Sequence, residues 1–310
     1  MKSKKIIIGS RGSKLALIYA ERAKSEIMKF SQISGIEDVE IKSITTKGDA
    51  VQNVRLSELG GKGLFSKTIE DELLNKKIDI AVHALKDLPS DETDGLETKV
   101  FLKRNDPRDV FISPNCKSIF DLKAHSIIGT SSFRRVAQLG ILRKDLNIKF
   151  IRGNVDTRIR KLEQKEFDAI VLSYAGIKIL GLENKISKVF SDEEMLPCVG
   201  QGVIALQNRK NDHDILNFIS KVNDITTYNC VIAEREMLKT IEGDCDTAVG
   251  GLATIDNNLI TLKSELFSLD GKQKFIAKTS GELNKAKEIG IKIGKELIAQ
   301  AGNCLLYTSD

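Results

Sequence analysis

The stretch from Asp79 to Pro89 (Asp-Ile-Ala-Val-His-Ala-Leu-Lys-Asp-Leu-Pro) brings an imidazole, an amine and a carboxylate together at His83, Lys86 and Asp87. The apolar run before them is short, as expected of a buried parallel strand, and Pro89 ends the pattern. In open α/β sheets, ligands collect just past the carboxyl ends of strands. Groups released there are placed to move protons or to stabilise charge as it develops. On this stretch alone, an ordinary strand end with solvated charges reads equally well.

A second kind of chemistry recurs elsewhere. Arg11 and Ser13 follow the apolar run Ile6 to Ile8, and Thr130, Ser131 and Ser132 lead into Arg134 and Arg135. Arg152 precedes Gly153, with Arg158 one turn into the next helical pattern. A small-residue turn at a helix start exposes backbone N–H groups to an anion, and arginine adds a planar, bidentate fork. One such unit fits a plain strand–helix turn. Several together favour a ligand bearing multiple carboxylates or phosphates over solvated surface arginines.

The elements that must position these groups can be read in order. Lys5 to Ile8 reads as a strand ending at Gly9, followed by a helix capped by Ser13, with Leu15, Ala16, Ile18, Tyr19, Ala23, Ile27 and Met28 as its buried positions. Val39 to Ile44 is a second strand, then comes a loop ending in Gly60-Gly-Lys62-Gly63, and a helix from Phe65 to Lys76. The loop is not a Walker A sequence, because Lys62 precedes glycine rather than Ser or Thr; it fits a lid over a site. A polar turn at Arg104 to Asp109 marks a domain boundary. Beyond it the entry unit is echoed, Ile127-Ile-Gly-Thr130 against Ile7-Ile-Gly-Ser10, and Asp168-Ala-Ile-Val171 echoes Asp79-Ile-Ala-Val82. The echoes predict two similarly built, doubly wound lobes with a ligand cleft. Val199 to Val203 reads as either a hinge or a turn. From Ile225 the pattern changes to a helix (Thr226 to Lys239), three strands (Gly251–Ile255, Leu259–Phe267, Lys274–Lys278) and a closing helix from Asn284 to Gln300, a small α+β domain.

Composition narrows the class. The 310 residues carry 48 Lys+Arg against 43 Asp+Glu, a formal charge of +5, with scattered basic residues and no Trp. That argues against a nucleic-acid binder. The basic start at Met1 to Lys5 lacks a signal-length apolar core, and no apolar run reaches membrane-spanning length. Five cysteines (116, 198, 230, 245, 304) without a CxxC pair, and three distant histidines, suggest neither a disulfide framework nor a metal centre. A reduced, cytoplasmic protein is expected. Cys245, between Asp244 and Asp246, has the wrong neighbours for a low-pKa thiolate, yet sits in a glycine-bearing loop able to carry something.

Taken together, Thr46-Lys-Gly-Asp49, Gly60-Gly-Lys-Gly-Leu-Phe65, Val82-His-Ala-Leu-Lys-Asp-Leu-Pro89, Asp106-Pro-Arg-Asp109, Gly129-Thr-Ser-Ser-Phe-Arg-Arg135, Arg152-Gly-Asn-Val155, Val199-Gly-Gln-Gly202, Ala233-Glu-Arg235 and Gly243-Asp-Cys245 resemble the porphobilinogen deaminase (hydroxymethylbilane synthase) family over nearly the whole chain. The resemblance implies an α/β fold of two lobes like periplasmic-type binding proteins plus a small α+β C-terminal domain. The implied division is 1–103 with 201–222 as the first lobe, 104–200 as the second, 223–303 as the cofactor-carrying domain and 304–310 as a non-native tail.

It further implies a transferase that condenses four porphobilinogen molecules head to tail with release of ammonia, giving hydroxymethylbilane in tetrapyrrole biosynthesis. The chain grows on a dipyrromethane cofactor joined by thioether to Cys245. Asp87 is then the catalytic carboxylate. Ser13, Lys86, Thr130, Ser131, Ser132, Arg134, Arg135 and Arg158 hold the cofactor, and Arg11, Arg152, Lys62 and Gln201 bind substrate. No metal, nucleic acid or membrane is expected, and the expected state is a monomer. Glu58, Ala84, Ile179 and Asp246-Thr-Ala248 depart from the family's pattern, bearing on affinity and loop behaviour more than on the reaction. Two rivals from other classes are a two-lobed binder of an anionic solute and a thiol-dependent hydrolase. The absence of a signal peptide and the third domain count against the first, and the lack of a Cys–His pair against the second.

Overall fold

The computed structural model describes residues 4–31, 36–46, 63, 66–243, 247–268 and 271–302. β1 (Lys4–Arg11) buries Ile6 and Ile8 completely. α1 (Lys14–Met28) starts where Ser13, in extended conformation, accepts a hydrogen bond from the Ala16 amide at 3.3 Å. β1 continues through Arg11, beyond the expected stop at Gly9. The reason is β2 (Ile36–Ile44), which pairs with it in parallel through Gly9–Lys42, Ser10–Ser43 and Arg11–Ile44. The buried stripe of α1 is Tyr19, Ala20, Ala23 and Ile27. Leu15, Ala16, Ile18 and Met28, expected in the core, are only half-buried. α2 (Lys67–Leu74) is shorter than the expected 65–76 helix: Lys76 already stands at φ 57°, with its N–H turned back to the Leu73 carbonyl. β3 (Ile80–Ala84) and β4 (Leu96–Phe101) follow.

Next come β5 (Asp109–Ile112), β6 (Ile127–Gly129), α3 (Phe133–Leu142), β7 (Asn147–Lys149), α4 (Val155–Glu163), β8 (Ala169–Ser173), α5 (Tyr174–Ile179) and β9 (Lys188–Val189). The chain returns through β10 (Ile204–Arg209), α6 (His213–Ile219) and α7 (Ile225–Thr240). It ends in β11 (Val249–Asp256), β12 (Leu259–Phe267), β13 (Lys274–Glu282) and α8 (Ala286–Ala301). By contacts it divides into two compact units, residues 1–105 with 203–228 and residues 106–202 with 229–310.

The first unit holds a sheet of order β2-β1-β3-β10-β4, and the second a sheet of order β7-β6-β8-β5-β9. In each, the first three strands are parallel and the fourth runs antiparallel to both neighbours. The sequence echoes fall on equivalent strands, and the side chains do equivalent work. The Asp79 carboxylate accepts from the Ile7 amide at 2.9 Å, and Asp168 accepts from Ile127 at 2.7 Å. A Cβ at Gly9 would lie 2.3 Å from Ile78 Cδ1, and one at Gly129 would lie 2.9 Å from Phe167 Cδ1. The glycine of each Ile-Ile-Gly run thus makes room for the apolar residue that precedes the aspartate.

Also in the second unit, β11, β12 and β13 form an antiparallel sheet. Asn257 and Asn258 turn the first hairpin in left-handed conformation (φ 47° and 62°), as a two-residue loop requires. The strands run longer than the alternation alone predicted for β11 and β13, because all of Val249–Asp256 and Lys274–Glu282 find partners on β12. α8 approaches α7 closely, with glycine at the contact: a Cβ on Gly290 would sit 2.4 Å from the Ala233 carbonyl oxygen. Met237, Ile289, Ile293 and Leu297 fill the core around them.

Candidate functional site

In the first unit the chain leaves β1 to one side, through α1 to β2, and then crosses to β3 on the other side. The crevice at the carboxyl ends of β1 and β3 is therefore the switch point where α/β sheets bind ligands. A pocket open to solvent, about 440 Å³ including its mouth, lies there. Arg11 is the last residue of β1, Ser13 caps α1, and His83 and Ala84 end β3. Asp87 closes the 3-10 turn Leu85–Asp87, held by Leu88 N–H to the Leu85 carbonyl at 3.0 Å and by Leu85 N–H to Val203 at 3.0 Å. Its carboxylate lines the pocket half-buried.

Leu15, Ala16 and Tyr19 from α1 complete one wall, which accounts for the half-burial of the first two. The Tyr19 hydroxyl is pushed up to about 12, first by burial and then by the negative charge of Asp87. It therefore stays protonated beside the carboxylate. Sequence reasoning placed Tyr19 only in the core; its hydroxyl, on the helix that Ser13 starts, was the available signal. Burial lowers the His83 pKa, against opposing pulls from Glu70, Gln207 and Asp87, while Arg11 lowers it further. His83 is thus neutral at neutral pH.

The second unit repeats the geometry with different side chains. β6 passes through Thr130, Ser131 and Ser132 into α3, and β7 passes through Arg152 into α4, so both helix starts lie at the carboxyl ends of parallel strands. Ser132 caps α3, its Oγ accepting from the Arg135 amide at 3.5 Å, and Thr130 Oγ1 accepts from the Ser132 amide at 3.3 Å. Arg134 and Arg135 do not point into solvent: they are 2 % and 5 % exposed. Arg134 Nη1 donates to Asp109 Oδ2 at 2.8 Å and Arg135 Nη2 to Asp109 Oδ1 at 2.7 Å, with Asp109 wholly buried.

Burial alone would raise the Asp109 pKa, but the two guanidiniums hold it well below the usual carboxylate range. Two cations thus face one anion, and Nε of each arginine is buried without a hydrogen-bond partner. Gln201, 1 % exposed, donates from Nε2 to Pro107 O and Asp109 Oδ1 at 2.6 and 2.8 Å and accepts from Arg135 at 3.4 Å, so it braces that arginine. Arg158 Nε donates to the carbonyl of Gly153, whose φ of 114° is open to glycine, and burial lowers the Arg152 pKa. Asp109 was legible only as part of a polar turn. The missed signal is the run Val110 to Ile112 behind it, which carries the carboxylate into the core as β5 begins.

Lys62 and Cys245 lie outside the described residues, as do Glu58, Asp246, Asp270 of the expected turn and the tail 304–310. Lys86 is half-buried in the turn before Asp87. Of the departures, Ala84 lines the first unit's pocket and Ile179 ends α5 with exposed Lys178 beside it. Gly200 and Gly202 adopt φ of 69° and 83°, and the Gly200 amide donates to the buried Glu234 at 2.8 Å, so Val199 to Val203 is a turn held from α7.

Comparison with known proteins bears on all of these residues at once. Residues 6–217 match a family model described as porphobilinogen deaminase, dipyromethane cofactor binding domain, and residues 228–299 match the porphobilinogen deaminase C-terminal domain. The chain is 42% identical over 299 residues to the porphobilinogen deaminase of Syntrophomonas wolfei, covering 96% of this chain and 97% of that one. It is 42% identical to that of Staphylococcus carnosus (96% and 96%) and 41% identical to that of Nitrobacter hamburgensis (95% and 93%). Among solved structures, it is similar to the methionine-binding protein MetQ (TM-score 0.45, 14% identity, 73% of this chain and 90% of that one). A periplasmic substrate-binding protein of an ABC transporter from Coxiella burnetii is comparable (TM-score 0.45, 12% identity, 70% and 91%). Resemblance at that level leaves the fold class resting on the two sheets themselves. The sequence relatives and both family models, by contrast, span nearly the whole chain, and it belongs to the porphobilinogen deaminase family.

Proposed function

We propose that this chain condenses four porphobilinogen molecules head to tail, releasing ammonia, to give hydroxymethylbilane for tetrapyrrole biosynthesis. The observation that carries the reading is the Asp87 carboxylate lining the switch-point pocket of the first unit together with Arg11 and the capped start of α1. Porphobilinogen is a pyrrole with acetate and propionate arms and an aminomethyl group. Arg11 and the N–H groups freed at Ser13 suit a carboxylate arm. As ammonia leaves, positive charge spreads to the pyrrole nitrogen. A carboxylate fixed beside that nitrogen stabilises the charge where it develops, in a site where fixed dipoles count for more than in water. Tyr19, kept protonated, contributes a neutral donor beside Asp87 rather than a second negative charge.

Dipyrromethane, when bound, supplies the pyrrole carbon onto which the units add, and we assign its attachment to Cys245 through a thioether. The second unit's buried cluster suits its carboxylates: Arg134 and Arg135 exceed Asp109 by one positive charge, and each leaves an orphaned buried Nε. Thr130, Ser131, Ser132 and Arg158, with Ser13 and Lys86, are the remaining holders proposed for it. Arg152, Lys62 and Gln201 join Arg11 for substrate, Gln201 acting by bracing Arg135. We further propose a monomeric, cytoplasmic enzyme.

Intact mass spectrometry before and after adding porphobilinogen tests the reading. A dipyrromethane adduct that Cys245→Ala removes, with stepwise mass increments on substrate, supports it. A chain of unmodified mass that ignores porphobilinogen refutes it and leaves a solute binder.

A further inference from the structure

Behind the first unit's pocket runs a hydrogen-bond chain that the chemistry above does not use. Gln207 on β10 stands opposite Ala81, while His83 stands opposite Ala205. The two long polar side chains are therefore diagonal neighbours on one face, with small alanines leaving them room. Gln207 Nε2 donates to Glu70 Oε1 at 2.9 Å, and Ser66 Oγ donates to Glu70 Oε2 at 3.3 Å. Glu70 and Gln207 are 6 % and 1 % exposed. A carboxylate only accepts, so the amide nitrogen must face Glu70 and the amide oxygen must face His83. The 3.1 Å contact between Gln207 Oε1 and His83 Nε2 then has one polarity: Nε2 carries the proton, and in the neutral ring that burial favours Nδ1 is the bare nitrogen.

We propose that Glu70 and Gln207 are positioning residues that hold His83 as the Nε2–H tautomer, so that the imidazole offers the pocket an acceptor nitrogen rather than a proton. This rests on the reading that substrate reacts beside His83 and Asp87. The imidazole then accepts an N–H of the bound pyrrole or its aminomethyl group, beside the charge-stabilising carboxylate of Asp87. Among the described residues, the charged groups acting on His83 are Glu70, Asp87 and Arg11.

The test is long-range proton–nitrogen correlation on the full-length holoenzyme labelled with ¹⁵N-histidine. The exposed His125 and His213 are assigned by replacing each with Gln. His83 is expected to show the Nε2–H pattern at about pH 8, where a pKa lowered from the ordinary imidazole value leaves the ring neutral. Glu70→Gln frees the Gln207 amide to turn, so both tautomers should appear and kcat should fall about tenfold at unchanged KM. Gln207→Met, of similar length without the acceptor oxygen, should do the same and serves if Glu70→Gln fails to fold. An Nδ1–H or imidazolium pattern in the parent protein, or an unchanged tautomer in both folded variants, overturns the proposal. A tautomer shift without loss of turnover overturns the role in the reaction. A parent with the Nε2–H signature but no activity toward porphobilinogen would sink the functional reading instead, leaving the tautomer assignment standing.

Discussion

Replacing Asp109 by Asn removes one negative charge and little volume from the most tightly buried ion cluster described. In the parent, Asp109 is 0 % exposed and receives Arg134 and Arg135 at 2.8 and 2.7 Å. Breaking a buried pair leaves uncompensated charge and costs about 3–5 kcal/mol. Asn retains one acceptor oxygen, which places the expected loss near the lower end, at about 3 kcal/mol. With a urea slope of about 3 kcal/mol per molar, the unfolding midpoint at pH 7 should fall by about 1 M.

The pH dependence has a definite sign. The guanidiniums depress the Asp109 pKa in the fold, so its stabilisation is fully present above the unfolded value of about 3.9 and fades as pH falls toward the folded value. Urea titrations followed by circular dichroism should therefore show a constant gap between parent and variant above about pH 5 that narrows below about pH 4. A midpoint shift under about 0.3 M at pH 7, or a gap that does not narrow in acid, refutes the reasoning.

Three further outcomes are expected. Asp87→Asn should lower turnover of porphobilinogen at least about 100-fold with an unchanged far-ultraviolet spectrum, and a variant within tenfold of the parent would remove Asp87 from the mechanism. Gly290→Ala drives a Cβ to 2.4 Å from a backbone oxygen that cannot swing aside, so overpacking of about 1–3 kcal/mol should outweigh the helix gain of up to about 1 kcal/mol. Gly140→Ala in α3 meets nothing within 4 Å and should instead stabilise, so thermal midpoints moving in the same direction for both would contradict the packing described.

The fold was legible where one local rule decides it. Ser13 as a helix cap, the Asn257-Asn258 turn and strand Leu259–Phe267 all came from short-range chemistry and stand as expected. Boundaries set by a partner strand were not legible: β1 runs on through Arg11 because β2 is beside it. The half-burial of Leu15 and Ala16 likewise depends on a pocket that only the packed sheet creates. At the candidate site, Asp87, Arg11 and Ser13 announced themselves as polar residues at strand ends. Glu70, Gln207 and Asp109 did not, because their importance lies in what they meet across the sheet. The arginines were visible as cations. Their burial against Asp109 was not, since Asp109 sits well before them in sequence and reaches them through strand order.

The place of β10, between β3 and β4, governs how the chain must assemble during synthesis. β3 and β4 are not hydrogen-bonded to each other, and the strand that joins them is made only after β5 to β9. A ribosome-bound chain that ends at Gly202 therefore has every strand of the later five-stranded sheet but exposes bare backbone along β3 and β4. Long-range pairing of this kind is slow and leaves edges open to wrong partners. The sheet begun first is the one completed last, and its unpaired edges are where a nascent chain most needs shielding.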